Sequence, residues 1–254
     1  MSKNRMLIVG CGAMVAVVVA AWFVVFGGDA PDAVDVATAN AQLDEVLGAT
    51  DVIGAAPVDG EVGAAPFDGE VDGVWIIDDE IGEFDFETAS GSFAGFRVDE
   101  ELTVGSVVAV GRSGGVTGSL TIEAGQLVAT EVVVDMNAIV SNDSRREGAI
   151  RRAVGASTNP TASFVLDDPV DLPDGLANGE VIRVEISGQL TVNGVTNPTK
   201  LVIDAVVRDD GYGVITGSTD IVFDEFGVTP PSAPIVVSVD DTGIIEFQLV
   251  VARG

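Results

Sequence analysis

The chain has 254 residues, with 12 Lys+Arg against 40 Asp+Glu, no His, one Cys and a formal net charge of -28. A Ser-His-Asp triad, an imidazole metal site and an intrachain disulfide are therefore excluded, and so acidic a chain repels phosphates, which argues against nucleic acid as a partner. At 47% hydrophobic and 20% charged residues it still has the apolar material for a packed core.

In chain order, residues 1–5 read as a short cytoplasmic start. Residues 6–26 carry no charge, and 21 residues at ~1.5 Å each span about 30 Å, the thickness of a bilayer core. Lys3 and Arg5 precede this run, whereas Asp29, Asp32 and Asp35 follow it. That asymmetry predicts a single-pass helix in the cell membrane with everything after it extracytoplasmic. Two rival readings are a cleaved signal peptide, for which Gly28-Asp29-Ala30 before Pro31 is a poor exit, and lipidation of Cys11 in the lipobox-like Ile8-Val9-Gly10-Cys11. The plain reading of Cys11 is a residue facing lipid or another helix.

Residues 27–72 hold eleven Asp or Glu, no Lys or Arg and few large apolar side chains. Such a stretch cannot offset its ordering entropy and is predicted to be a disordered, flexible acidic linker. It contains a tandem nonapeptide, residues 54–62 and 63–71, alike at eight of nine positions. Self-repulsion would extend it beyond the roughly 37 Å that a neutral coil of 46 residues spans. A short helix over residues 37–47, with Leu43, Val46 and Leu47 on one face, is the local exception.

From residue 73 to 254 the hydrophobic period is two. Ile182, Val184, Ile186, Leu190 and Val192 share one face of a strand against Arg183, Glu185, Ser187, Gln189 and Thr191. The same alternation sets Phe84 and Phe86 against Glu83 and Asp85, and Val116, Leu120 and Ile122 against Thr117, Ser119 and Thr121. It sets Val128, Val132, Val134 and Met136 against Glu131 and Asp135, and Leu201, Ile203, Ala205 and Val207 against Asp204 and Arg208. Ile221 with Phe223, and Ile245, Phe247, Leu249 and Val251, complete the series. Turn signals separate these runs, including Asn193-Gly194 and Asp209-Asp210-Gly211. Eight or more one-sided antiparallel strands predict a mainly β sandwich or closed barrel, and eight strands enclose either packed side chains or one elongated apolar ligand.

One segment breaks the rhythm. Ser144 followed by Glu147 forms a capping box, and residues 145–154 read as a helix. Its apolar stripe of Ala149, Ile150, Ala153 and Val154 has Arg146 in the middle, at 100° per residue. Arg146 therefore snorkels, pairs with a carboxylate beneath the helix, or meets a ligand head group.

At this point the residues resemble the YceI-like family, lipid- or polyisoprenoid-binding domains with a lipocalin-like barrel. The resemblance is carried in order by Gly73-Val-Trp75-Ile-Ile-Asp78, Val116-Thr-Gly118-Ser-Leu120, Val134-Asp135-Met136 leading to Ser144-Arg-Arg146-Glu147, and Asn159-Pro160-Thr-Ala-Ser163-Phe164. It continues through Gly188-Gln-Leu190-Thr191-Val-Asn-Gly194-Val195-Thr196, then Ile221-Val-Phe223-Asp-Glu-Phe226-Gly227-Val228, and closes over residues 236–251. Departures are Glu147 for an Asp, the missing helix His, and Asn197 for a basic residue. The resemblance implies an eight-stranded antiparallel lipocalin-like barrel over residues 73–254 that takes a long isoprenoid or fatty chain along its axis, with no catalysis and no cofactor.

Trp75, Phe84, Phe86, Phe93, Phe96, Phe164, Phe223 and Phe247 are the large aromatics placed inside, as core or as ligand contacts. With Arg146 and Ile150 of the helix they form the candidate lipid-binding set. Many Val, Ala and Gly residues give modest side-chain volume, which favours an apolar cavity. The expected protein is thus a membrane-anchored lipid binder whose protein partner is unassigned. The alternative is an acidic surface interaction module with a filled barrel. Asp68, Glu70, Asp72 and Asp79 imitate a calcium loop but lack its bidentate Glu and flanking helices. Acidic pairs such as Asp78-Asp79 read as solvated turns rather than as a glycosidase dyad.

Overall fold

The computed structural model describes residues 30–52, 66–81, 84–103, 105–231 and 236–254. The apolar run 6–26 with Cys11, and residues 54–65 of the tandem repeat, lie outside the described residues. No helix among the described residues is long and apolar enough to cross a membrane.

Thirteen antiparallel strands form one sheet. They are β1 (Gly73–Ile77), β2 (Phe93–Leu102), β3 (Gly105–Ser113), β4 (Val116–Glu123), β5 (Gln126–Asp135), β6 (Val140–Ser141), β7 (Thr161–Leu166), β8 (Val170–Asp171), β9 (Ile182–Val192), β10 (Val195–Val207), β11 (Tyr212–Val222), β12 (Val236–Val239) and β13 (Thr242–Arg253). Two α-helices among the described residues accompany them, α1 (Val36–Val52) and α2 (Ser144–Ala153). Eight strands close into a ring in the order β1-β4-β5-β7-β9-β10-β11-β13, and β1 completes it by pairing both β4 and β13, with Trp75 opposite Leu120 and Arg253. Closure leaves this ring without edges. β2, β3 and β6 branch from β13, and β12 pairs with β2, extending the wall at one end.

Alternation sets the inside of the ring as expected. On β9 the even-numbered Ile182, Ile186, Leu190 and Val192 are buried, and on β10 Leu201, Ile203, Ala205 and Val207 are buried. Three local readings are corrected. Phe84 and Phe86 belong to no strand: Asp85 bridges Ser90 around a turn, and its carboxylate accepts from the backbone N–H groups of Glu87 and Thr88. On β5 the register shifts, with Thr121 opposite Ala129 but Ile122 opposite Leu127, so that Val128 is the extra residue and Leu127 takes the inward place. Phe223 opens a 3₁₀ turn, Phe223–Phe226, instead of continuing the strand. That turn ends at Gly227, whose positive φ suits glycine.

Part of the expected linker is ordered. Helix α1 is capped by Asp35, which accepts from Thr38 N–H at 2.9 Å, and extends beyond the anticipated 37–47. Val36, Ala39 and Leu43 bury themselves against the outward-facing Val206, Tyr212, Val214 and Val250. Val46 and Leu47, expected on the same face, contribute less. Arg208 fixes the helix from the barrel side, bonding Asn40 Oδ1 at 2.7 Å and pairing with Asp44 at 2.7 Å. The carboxylates of the calcium-like stretch have structural uses: Asp72 accepts from the N–H groups of Ala124 and Gly125, and Asp68 pairs with Arg253.

Candidate functional site

The ring is hollow. An apolar cavity of about 200 Å³ runs through it, walled by residues of most of the ring strands together with Ala94 and Phe96 of β2. Thr130 and Ser163 bring the only side-chain polar atoms among its described lining residues. An apolar void of ~150 Å³ already stays dry and accepts small hydrophobic guests. The alternative of a filled barrel therefore lacks its defining feature.

The cavity persists because its aromatics lie along the wall. Four Phe rings line it, and each lies over a glycine of a neighbouring strand. A Cβ on Gly111 would sit 2.6 Å from the Phe96 ring, and one on Gly243 2.6 Å from that of Phe223. Similarly, a Cβ on Gly188 or Gly217 would overlap Phe164 or Phe247. With the ring occupying the space above a residue that has no side chain, the centre of the barrel stays open.

A second cavity of about 290 Å³ adjoins the first, with Phe96, Val154, Phe223 and Val228 lining both. The second space lies between β2, α2 and the segment after the 3₁₀ turn, with Pro230 and Pro231 at its rim. Helix α2 is capped one residue earlier than expected, because the Asp143 side chain, rather than Ser144, accepts from Arg145 N–H at 3.0 Å. The Arg145 guanidinium closes a bidentate pair on the same carboxylate, at 2.9 and 2.8 Å. That hydrogen bonding holds the Asp143 carboxyl below its ordinary range.

Arg146 finds the carboxylate anticipated beneath the helix. Its Nη1 is 3.1 Å from Glu100 Oε2. Glu100 is 7% exposed, on the inward face of β2 in line with Phe96, Val98 and Leu102. Its Oε2 accepts no hydrogen bond among the described residues, so the contact with Arg146 is an ion pair without hydrogen-bond geometry. Burial pushes the Glu100 carboxyl above its usual range, and the Arg146 charge pulls it partly back.

Of the ten candidate residues, Phe96, Phe164, Phe223 and Phe247 line the apolar cavity, and Arg146 and Ile150 line its mouth with Phe96 and Phe223. The other four lie elsewhere. Trp75 is buried where β1, the start of β11 and the end of β13 meet, and donates from Nε1 to Val71 O at 2.9 Å. Phe93 points to the outside of the barrel, packed beside Phe84 with ring centroids 5.8 Å apart and covered by the Arg112 guanidinium at 4.5 Å. Phe86 is half-buried in the turn before β2. Alternation within β2 decides the outcome for Phe93, since it is three residues from Phe96 and so on the opposite face. Glu100 was missed, although it occupies an inward place of the same alternation. Among the described residues no group of three or more acids or cysteines is placed to hold a metal ion.

A closed antiparallel barrel of eight strands around an apolar lumen is an architecture that can hold one small ligand. Residues 84–251 match the YceI-like domain, and the chain belongs to that family. Among solved structures, a polyisoprenoid binding domain from Saccharophagus degradans implicated in plant cell wall breakdown is similar, with a TM-score of 0.52 at 16% identity over 71% of this chain and 98% of that one. BcnA of Burkholderia cenocepacia aligns with a TM-score of 0.49 at 16% identity, over 68% and 98% of the two chains. A Campylobacter jejuni YceI protein aligns with a TM-score of 0.43 at 12% identity, over 57% and 84%. No curated protein matches the chain by sequence.

Proposed function

We propose that this protein buries the tail of an isoprenoid or other long-chain lipid in its barrel, extracytoplasmically and tied to the cell membrane by residues 6–26, without reacting on it. The observation that carries this reading is the hollow lumen of the barrel with its almost wholly apolar lining. At ~25 cal/mol per Å² of apolar surface withdrawn from water, an enclosed tail gains several kcal/mol, sufficient for non-covalent retention. The similar Saccharophagus domain is described as polyisoprenoid binding, which supports an isoprenoid over other lipids.

The membrane part of the proposal stands on the length of the uncharged run, on the Lys3 and Arg5 before it and on the acids after it. Purification without detergent, organic extraction and mass spectrometry test the lipid reading: a bound prenyl or acyl lipid is expected. A protein that neither carries nor accepts one refutes it. Protease protection of the barrel in sealed vesicles tests the topology.

A further inference from the structure

We infer that the end of the barrel carrying α2 and the second cavity rests on the bilayer into which residues 6–26 insert, held there by a strap made of residues 31–34 and α1. This rests on the membrane-anchor reading of the proposed function and adds an orientation to it. The register of the strap on the wall carries it. Pro31 O accepts from Arg97 Nη1 at 2.7 Å, and Arg97 stands opposite Ile244, close to the start of β13. Further along β13, Val34 N–H donates to Glu246 at 3.4 Å, and α1 packs at the level of Val250. The strap therefore climbs β13 from its beginning, and the chain before it leaves the barrel at the end where β13 starts. Helix α2, Glu100 and Leu102 of β2, and Pro230 and Pro231 lie at that same end, lining the second cavity.

Reach fixes the rest. Of the tether expected over residues 27–72, the strap leaves only residues 27–30 between the membrane and the barrel wall. Ala30 is four residues from the end of the uncharged run, and four residues extend at most about 14 Å. Beyond Arg97, β2 continues for five residues to Leu102, with β12 paired along it. Those five residues rise about 17 Å along the strand, or about 13 Å along the axis at a strand tilt of about 40°. The extension is thus as tall as the tether is long, and the bilayer lies at its rim. Around this end Val195, Val222, Val237 and Ile244 stand exposed. The exposed acids Asp224, Glu225, Asp240 and Asp241 stand there too, so the short reach, and not attraction to lipid head groups, holds the end in place. Laying the barrel on its strapped side would instead press the exposed Asp32, Asp35, Asp44 and Glu45 against the bilayer and strip water from their carboxylates.

The test uses the full chain in vesicles of phosphatidylcholine and phosphatidylglycerol. Cys11→Ser removes the native thiol, and a fluorophore is attached through Val237→Cys at the α2 end or Val181→Cys at the opposite end, both exposed positions. A lipid with a nitroxide on its head group quenches only fluorophores at the bilayer surface. Quenching of the first label is expected to exceed that of the second several-fold. Inserting about twenty Gly and Ser residues between Gly28 and Asp29 should bring it down to the level of the second, since the longer coil frees the barrel. Flotation of the vesicles after an alkaline wash reads membrane insertion separately. A chain that floats with neither label quenched, or with both quenched alike, overturns the orientation and leaves the anchor intact. Quenching that survives the insertion overturns the strap as what holds the end in place. A chain that washes off the vesicles refutes the anchor reading, and the orientation falls with it.

Discussion

Glu100 is a carboxylate held where water is scarce, and burial raises its native pKa above the unfolded value, against the opposing charge of Arg146. Between those two values the folded protein binds the proton that the unfolded chain has released. This group's contribution to stability is therefore greatest below the ordinary carboxylate range and declines as pH rises through that range to the raised native value. Glu100→Gln removes the titration. Urea unfolding from about pH 4 upward should show a smaller decline for the variant than for the wild type, while the shared slope of the other acids cancels in the comparison. A second buried carboxylate, Glu246, is hydrogen-bonded directly to a guanidinium. Arg112 and Glu246 are both almost wholly enclosed and bonded at 2.6 and 2.9 Å, with Arg97 at 3.6 Å. Arg112→Met should cost about 3–5 kcal/mol by leaving Glu246 in a low dielectric with the more distant Arg97 and the Val34 N–H, and adding Glu246→Met should restore most of it. Denaturation midpoints of the single and double variants measure this directly.

At the level of strands and helices, the four Phe–Gly contacts explain why a chain with many apolar residues leaves its centre open. Gly217→Ala would force the Phe247 ring off the wall and into the lumen. The expected outcome is an overpacking cost of about 1–3 kcal/mol with the barrel's circular dichroism kept, together with a clear loss of geraniol binding in dialysis. Inward alternation on β9, β10 and β13 was legible because a period of two needs no partner to be visible. The sides of Phe93 and Val128 were not. Phe93 is turned outward by the phase of β2, which is clear only once Phe96, Val98, Glu100 and Leu102 are taken together. Val128 is displaced by a bulge, and a bulge leaves no hydrophobic signature. The helix and its central Arg were legible from the capping pattern and the 100° step. Its partner was harder to see, since Glu100 lies 46 positions earlier in a stretch crowded with acids. The Phe–Gly pairs were invisible for a similar reason: only register brings each glycine beneath a ring.

Over the whole molecule, part of the acidic segment before the barrel is a strap laid over it. Residues 31–34 lie over the buried ion cluster, with Pro31 O accepting from Arg97 at 2.7 Å, Asp32 O from Arg112 at 2.8 Å, and Val34 N–H donating to Glu246 at 3.4 Å. Helix α1 then covers the apolar patch formed by Val206, Tyr212, Val214 and Val250. Composition could not reveal this, because the strap needs only three small or medium apolar residues, Val36, Ala39 and Leu43, to meet a patch that the barrel already presents. The strap lies outside residues 84–251, the part matched to the family, and the eight-stranded ring closes without it. A chain lacking residues 1–52 should therefore still fold as a hollow barrel but expose both the patch and the charges that the strap covers. Losing three buried side chains, with the helix's own ordering cost recovered, amounts to about 3 kcal/mol. At roughly 2–4 °C per kcal/mol for a domain of this size, Tm should fall by about 6–12 °C. The bared apolar face should also bind a hydrophobic dye and promote self-association in gel filtration. Geraniol binding should survive, since no residue of the strap lines either cavity. An unchanged Tm would mean that α1 contributes nothing to the barrel, and a lost lumen would mean that the ring depends on its outer cover.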